Sequence, residues 1–170
     1  MSPGALPLLE PALLREWDTG LRNMNRTGRE RLRSIGVTLE AEARCGFVGC
    51  ERITVTGQTY HPDPAGFPAL LLGCWAGDIP GPYARRGDFV LADIVAFRST
   101  APNQWWRRVN APCAVLGLEH LGLALASGRP ITLHPHPLAW LRSEGRGAVF
   151  LEWLEACGGL DAAEFGAAAA

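Results

Sequence analysis

The chain has 170 residues, with 48% apolar and 19% charged side chains, which is typical of one folded domain rather than a disordered segment. Its formal net charge of −1 excludes a whole-molecule field that would attract DNA or an anionic membrane, so nucleic-acid binding would need a local basic patch. Residues 1–9 lack the basic and apolar regions of a signal peptide, and no apolar run approaches the roughly 18 residues of a membrane span. We therefore expect a cytoplasmic protein with reduced cysteines and no membrane partner.

The first third of the sequence predicts helices. Leu9–Trp17 has helix-forming composition, and a break is expected near Thr19–Gly20. Thr27 is followed three residues later by Glu30, which is the spacing of a capping box and predicts the start of a second helix. That helix is expected to end at Gly36.

The middle of the sequence changes to the period of strands. Arg52–Thr56 alternates and is β-branched, and Pro68–Trp75 is a short apolar run typical of a buried strand. Phe89–Phe97 is a third strand, interrupted only by Asp93. Gln104–Val109 is its predicted hairpin partner.

The last third of the sequence alternates between helical and strand patterns. Leu118–Ser127 is an apolar helix ended by a glycine, and Pro137–Glu144 is a second helix with proline at its first position. Short strands are predicted at Ile131–His134 and Ala148–Leu151. This strand–helix–strand order is that of a βαβ unit, although the crossover is short for one.

These elements predict an α+β fold. N-terminal helices precede a central, mostly antiparallel sheet, and a strand–helix–strand segment follows it. We expect a single compact domain over residues 1–157 and a Gly/Ala-rich tail over residues 158–170.

Two pairs of side chains are candidate metal ligands. Cys45 and Cys50 form one pair, but tetrahedral zinc needs a second, and buried thiols are the alternative interpretation. His134 and His136 lie on one side of an extended segment, as a metal pair would, but each precedes proline, which favours extended backbone without any ligand. A third ligand to the histidines would come from His61, Asp63 or Cys50.

Catalytic motifs are missing from the sequence. It contains no Gly-x-Ser-x-Gly nucleophile elbow, no Gly-x-x-x-x-Gly-Lys phosphate loop and no Gly-x-Gly-x-x-Gly dinucleotide motif. Asp93 is an unusual carboxylate in an apolar strand and must be hydrogen-bonded, paired or neutral. We expect a structural ion pair with Arg107 or Arg98, the alternative being a role in an active site.

An arginine-rich segment favours binding to phosphates. Its basic residues are Arg22, Arg26, Arg29, Arg31 and Arg33, and only Glu30 opposes them. Steps of four, three and four residues from Arg22 to Arg33 would align four guanidinium groups on one helical stripe, although Gly28 weakens the continuity of that helix. The alternative is an ordinary solvated helix face.

A second basic segment, Trp105-Trp106-Arg107-Arg108, combines aromatic rings with charge. In a strand the two tryptophans face opposite sides, so one can enter the core while the other stays exposed beside an arginine. An exposed tryptophan beside arginine is a surface on which nucleic-acid bases stack. The alternative is a core tryptophan with arginine packed over the other ring.

Three short stretches resemble a known family. Arg31-Leu-Arg-Ser-Ile-Gly-Val-Thr-Leu, Tyr60-His-Pro and Phe67-Pro-Ala-Leu-Leu resemble the linker region of primase-like replication proteins of phages and plasmids, between a zinc module and a toprim core. Asp93-Ile-Val-Ala-Phe, Trp105-Trp-Arg-Arg and Pro137-Leu-Ala-Trp-Leu-Arg resemble segments of small alphaproteobacterial and prophage proteins. Toprim catalysis requires an Asp-x-Asp, which this chain lacks, so the resemblance implies an accessory domain and no catalytic residue.

We therefore predict a non-catalytic accessory domain that binds nucleic acid, in replication of a phage or mobile element, without a cofactor. Its predicted surface joins Arg22, Arg26, Arg29 and Arg33 to Trp105, Trp106, Arg107 and Arg108. One alternative is a protein-interaction or assembly module. A second is a metal-dependent enzyme that uses His134 and His136.

Overall fold

The chain begins with helices, as predicted, but their boundaries differ from the predicted ones. The computed structural model describes residues 10–76, 90–111 and 115–151. The helices are α1 (Glu10–Asn23), α2 (Arg26–Ser34) and α3 (Leu39–Arg44). Asn25 caps α2, because its side-chain oxygen accepts a hydrogen bond from the backbone nitrogen of Gly28 at 2.9 Å. The prediction of Thr27 as the cap is wrong, since Thr27 lies inside the helix.

Helix α1 continues through the break predicted near Thr19–Gly20, because Gly20 packs against the sheet. A Cβ atom added to Gly20 would lie 2.8 Å from Leu71 Cδ1. A Cβ atom added to Gly49 would lie 3.0 Å from the carbonyl carbon of Gly20. The two glycines thus let the helix and the neighbouring strand approach closely, and α1 ends at Asn23 instead.

Five strands close into a barrel in the order β1-β2-β5-β4-β3. They are β1 (Gly49–Thr56), β2 (Thr59–Pro62), β3 (Phe67–Ala76), β4 (Val90–Arg98) and β5 (Ala101–Arg107). Four neighbouring pairs are antiparallel, and β2 pairs with β5 in parallel through Thr59 and Arg107. The predicted central, mostly antiparallel sheet is confirmed. Its closure follows from the parallel pairing of β2 with β5, which no local pattern predicts.

Alternating side chains divide the apolar core between the two faces of the barrel wall. The interior holds Ile53, Tyr60, Leu71, Ile94 and Ala96, which come from four of the strands. Leu13 and Trp17 of α1 pack against this interior cluster. A second cluster covers the outer face and joins α2, α3 and α5 to β3 and β4 through Leu32, Ala41, Leu72, Val95, Phe97, Leu138 and Leu141.

The C-terminal segment packs on this outer face. Its elements are β6 (Val115–Leu116), α4 (Leu118–Ser127), α5 (Pro137–Arg142) and β7 (Val149–Phe150). Strands β6 and β7 pair antiparallel with each other. The strand predicted at Ile131–His134 is wrong, because this segment is reduced to one parallel bridge between Leu133 and Ala148.

The described residues form a single compact α+β domain, as predicted. The predicted tail, residues 158–170, lies outside them. None of the described helices is long and apolar enough to cross a lipid bilayer.

Candidate functional site

Helix α2 carries most of the predicted basic stripe. Its nine residues include four arginines and one glutamate, and only Leu32 is fully buried among them. Leu32 therefore fixes the helix on the outer core, while Arg26, Arg31 and Arg33 are exposed and Arg29 is half-buried. The Arg26 side chain is 92% exposed and pairs with Glu30 at 2.9 Å. Among the described residues, the side chains of Arg29 and Arg33 make no hydrogen bond or ion pair.

The stripe is shorter than predicted, because α1 ends before α2 begins. Arg22 lies in the last turn of α1 and forms an exposed ion pair with Asp18, four residues earlier on the same helix. Asn25 ends the continuity as the cap of α2. The prediction of one continuous helix from Arg22 to Arg33 is therefore wrong.

Trp105 and Trp106 face opposite sides of the barrel wall, as strand geometry predicts, but neither ring is fully exposed to solvent. Trp106 packs with the interior cluster, and its ring meets Phe67 edge-on at a centroid distance of 5.5 Å. Trp105 packs against the outer cluster, and its indole nitrogen donates to Leu151 O at 3.4 Å. Both rings are half-buried, so the expected exposed stacking surface is not formed.

Arg107 is part of the core, which removes it from the predicted binding surface. Its side chain is buried, and Nε and Nη2 donate to Asp93 Oδ2 at 3.0 and 2.9 Å. The ion pair predicted for Asp93 is thus confirmed, with Arg107 as partner. The same carboxylate accepts backbone hydrogen bonds from Ile94, Arg108, Val109 and Ala111.

Arg108 is also committed to the structure. Its Nε donates to Glu16 Oε2 at 2.7 Å, and the other oxygen of Glu16 accepts from the hydroxyl of Tyr60 at 3.0 Å. Burial, with the adjacent Glu16 carboxylate, raises the pKa of Tyr60 well above its usual range. Arg108 therefore attaches α1 to the barrel, and the prediction that Arg107 and Arg108 extend the surface of α2 is wrong.

The two histidines predicted as metal ligands both have structural hydrogen bonds. His136 caps α5, since its Nδ1 accepts from Ala139 N at 3.0 Å. Burial lowers the pKa of His136, and the charges of Arg142 and His134 lower it further. His134 Nε2 lies 2.8 Å from Arg146 O and 3.1 Å from Ser143 Oγ.

The cysteine pair does not complete a metal site either. Burial raises the pKa of Cys45 to about 12, and the negative charges of Glu119 and Glu144 add to this effect. Cys50 is half-buried and its thiol donates to Asn23 O at 3.4 Å. Within residues 10–76, 90–111 and 115–151, no three His, Cys, Asp or Glu side chains lie close enough to hold a metal. The ligand set of the metal-dependent alternative is therefore not assembled there.

A cleft of about 790 Å³ lies between the barrel and the C-terminal segment. Residues from α3, β3, α4 and the turn after α5 line it, among them Arg44, Phe47, Trp75, Glu119, His120 and Glu144. Sequence reasoning missed this site, because its residues are widely spaced along the chain. One signal is present in the sequence: Phe47 directly follows Gly46, between Cys45 and Cys50.

No protein-family model, curated protein or solved structure matches this chain at a significant level. The resemblance to primase-like proteins therefore stays a prediction. Two features of the fold bear on function, helix α2 and the cleft.

Proposed function

We propose that the protein is a non-catalytic module that binds single-stranded nucleic acid through the phosphates, with α2 as the contact helix. The observation that carries this proposal is the arginine content of α2. Four guanidinium groups lie on nine residues, three of them (Arg26, Arg29 and Arg33) on one side of the helix, and one glutamate opposes them. Such a helix attracts a polyanion by charge and does not read a base sequence.

The arginines of α2 are available for phosphate. Arg29 and Arg33 have no side-chain partner within the described ranges, so a phosphate would not have to displace one. Arg26 pairs only with Glu30 at the surface, and such a pair contributes little stability. A phosphate oxygen can replace that carboxylate as the acceptor from Arg26.

Neighbouring groups extend the basic face beyond α2. Arg31 Nη2 lies 3.5 Å from Ser99 Oγ, which places the helix beside the turn between β4 and β5. Arg98 precedes that turn and stacks over the Phe67 ring at 5.1 Å from its centroid. A nucleic-acid strand bound along α2 would therefore meet a further exposed guanidinium group beside an aromatic ring.

A role in the replication of a phage or mobile element is the biological setting that we propose. It is supported by the sequence resemblance to the linker region of primase-like proteins. An accessory module that binds strands without cutting or copying them needs no catalytic residue, and we propose none.

The test measures fluorescence anisotropy of a labelled single-stranded oligonucleotide against the wild type and an Arg29→Gln/Arg33→Gln variant. We expect the variant to bind at least about tenfold more weakly at low salt. The slope of log affinity against log salt should fall in magnitude by about 1.4, since each phosphate contact contributes roughly 0.7 for a single strand.

The control is an Arg15→Gln/Arg129→Gln variant, which makes the same change in net charge. Both residues are exposed, lie outside α2, and have no side-chain ion pair in the part of the chain that the structure describes. The control should bind like the wild type. Equal losses in the two variants would mean that overall charge, and not α2, determines binding.

A protein-interaction module is the second candidate, and one observation favours it. Leu123 and Leu125 of α4, and Leu133 after it in the chain, are exposed. Sedimentation velocity over a range of concentrations tests self-association, and a Leu123→Gln/Leu125→Gln variant should abolish any shift. A strictly monomeric protein would contradict self-assembly.

A further inference from the structure

Phe47 contributes an aromatic ring to the wall of the cleft. Phe47 is 46% exposed, and its backbone has a φ of +73°, a conformation that bulky residues rarely adopt. A hydrogen bond stabilises this conformation, because the backbone nitrogen of Phe47 donates to Glu42 O at 2.6 Å. The fold thus maintains an unfavourable backbone conformation at a residue whose ring lines the cleft.

Polar groups of different kinds line the same cleft without partners. Among the described residues, the Nδ1 atom of His120 is buried and makes no hydrogen bond. The indole nitrogen of Trp75 has no acceptor there either, and it lies beside Gly73, where an added Cβ atom would be only 2.8 Å from it. Glu119 has no ion-pair partner in those ranges. Within the described ranges, the indole donor of Trp75 and the carboxylate of Glu119 are therefore the groups of the cleft that can bind a ligand without displacing a partner.

Charge is distributed unevenly across the cleft. Glu144 forms ion pairs with both Arg44, at 3.6 Å, and Arg146, at 3.2 Å, so these three side chains together carry a net charge of +1. The two arginine side chains are 57% and 71% exposed, whereas Glu119 supplies a separate negative charge. A ligand with an anionic end and an amino-bearing end matches this arrangement.

The cleft is connected to α2 through α5. Arg142 at the end of α5 donates through Nε to Ile35 O, directly after α2, at 2.6 Å. Two residues later, Glu144 belongs to the charged group of the cleft. Arg142 therefore joins the end of α2 to the segment that carries Glu144 and Arg146.

We propose that the cleft receives one unpaired nucleobase with an exocyclic amino group from a strand bound along α2. This inference rests on the proposed function. Phe47 stacks on the base, Glu119 accepts from its amino group, and Arg44 and Arg146 bind the adjoining phosphates. The volume of about 790 Å³ lies within the roughly 300–1,000 Å³ typical of small-molecule sites.

Three strands of equal length test the proposal: oligodeoxycytidine, oligothymidine and a fully abasic strand. Cytosine carries the amino group and thymine does not. The wild type should bind oligodeoxycytidine roughly 2- to 10-fold more tightly than oligothymidine, and the abasic strand most weakly. A Glu119→Gln variant should lose the preference for cytosine while keeping the salt slope of the wild type.

Phe47 is tested by two substitutions. Phe47→Gly removes the ring and suits the positive φ, so the fold should persist. It should weaken binding of oligodeoxycytidine roughly 5- to 150-fold and leave the abasic strand unaffected. Phe47→Trp should retain binding, and Leu39→Ala, which removes an exposed side chain on α3, should behave like the wild type.

The outcomes separate this inference from the proposed function. Salt-dependent binding that Phe47→Gly leaves unchanged would overturn the base site and leave the role of α2 intact. If no strand binds the wild type at low salt, both fail.

Discussion

The Asp93 carboxylate is the densest hydrogen-bonding centre that the structure describes, and its replacement should be costly. Oδ1 accepts from the backbone nitrogens of Ile94, Arg108 and Val109. Oδ2 accepts from Ala111 N and from two nitrogens of Arg107. The Asp93→Asn substitution preserves shape but places an amide NH₂ against three of these donors.

The magnitude follows from burial. Asp93 is 0% and Arg107 2% exposed, so the substitution leaves a buried guanidinium group without its counter-charge. Breaking a buried pair in this way costs about 3–5 kcal/mol, a large fraction of the roughly 5–15 kcal/mol that stabilises a typical domain. We expect the free energy of unfolding to fall by this amount.

Urea denaturation followed by circular dichroism measures the change, with the m-value unaltered if both proteins unfold in two states. An additional Arg107→Met substitution in Asp93→Asn should recover part of the loss, because it removes the unpaired charge. Asp63→Asn, at a partly exposed turn carboxylate, is the matched control and should have a much smaller effect. A loss below about 1 kcal/mol for Asp93→Asn would refute the reasoning.

Two further predictions concern stability. The pKa of His136 in the folded protein is below its ordinary value of about 6.5, so the unfolded chain binds the proton more readily. The contribution of His136 to the free energy of unfolding is therefore complete above about pH 6.5 and is lost as the pH falls below that value. His136→Asn can still cap α5 but cannot titrate, so urea midpoints between pH 5 and 7 should depend less on pH than in the wild type; an unchanged pH dependence would contradict this. Glu16→Gln should cost about 2 kcal/mol because it breaks the pair with Arg108, and Tyr60→Phe should cost less in that variant than in the wild type. Additive losses in the double-mutant cycle would show that Glu16 does not couple the two residues.

Features that depend on neighbours in sequence were predictable. The helix at Leu118–Ser127 has its predicted bounds, because an apolar run followed by Gly128 defines them locally. The pairing of Asp93 with Arg107 was predictable as well, since a carboxylate in an apolar strand requires a partner and the adjacent hairpin strand supplies one.

Features that depend on distant contacts were not predictable. Arg108 was expected at the surface, but its partner Glu16 lies on a helix near the start of the chain. The cleft escaped prediction for the same reason, since Arg44 meets Glu144 only after α3 and α5 have packed. The sequence predicts a helix break at Gly20. In the structure the helix continues there, and the missing side chain lets α1 pack closely against β3.

The salt dependence of wild-type binding to a labelled single strand tests the central claim most directly. If α2 contacts phosphates through three or four arginines, a plot of log affinity against log salt should be linear, and these contacts alone should contribute about −2 to −3 to its slope. Absence of binding at low salt, or binding with a slope near zero, would contradict the account.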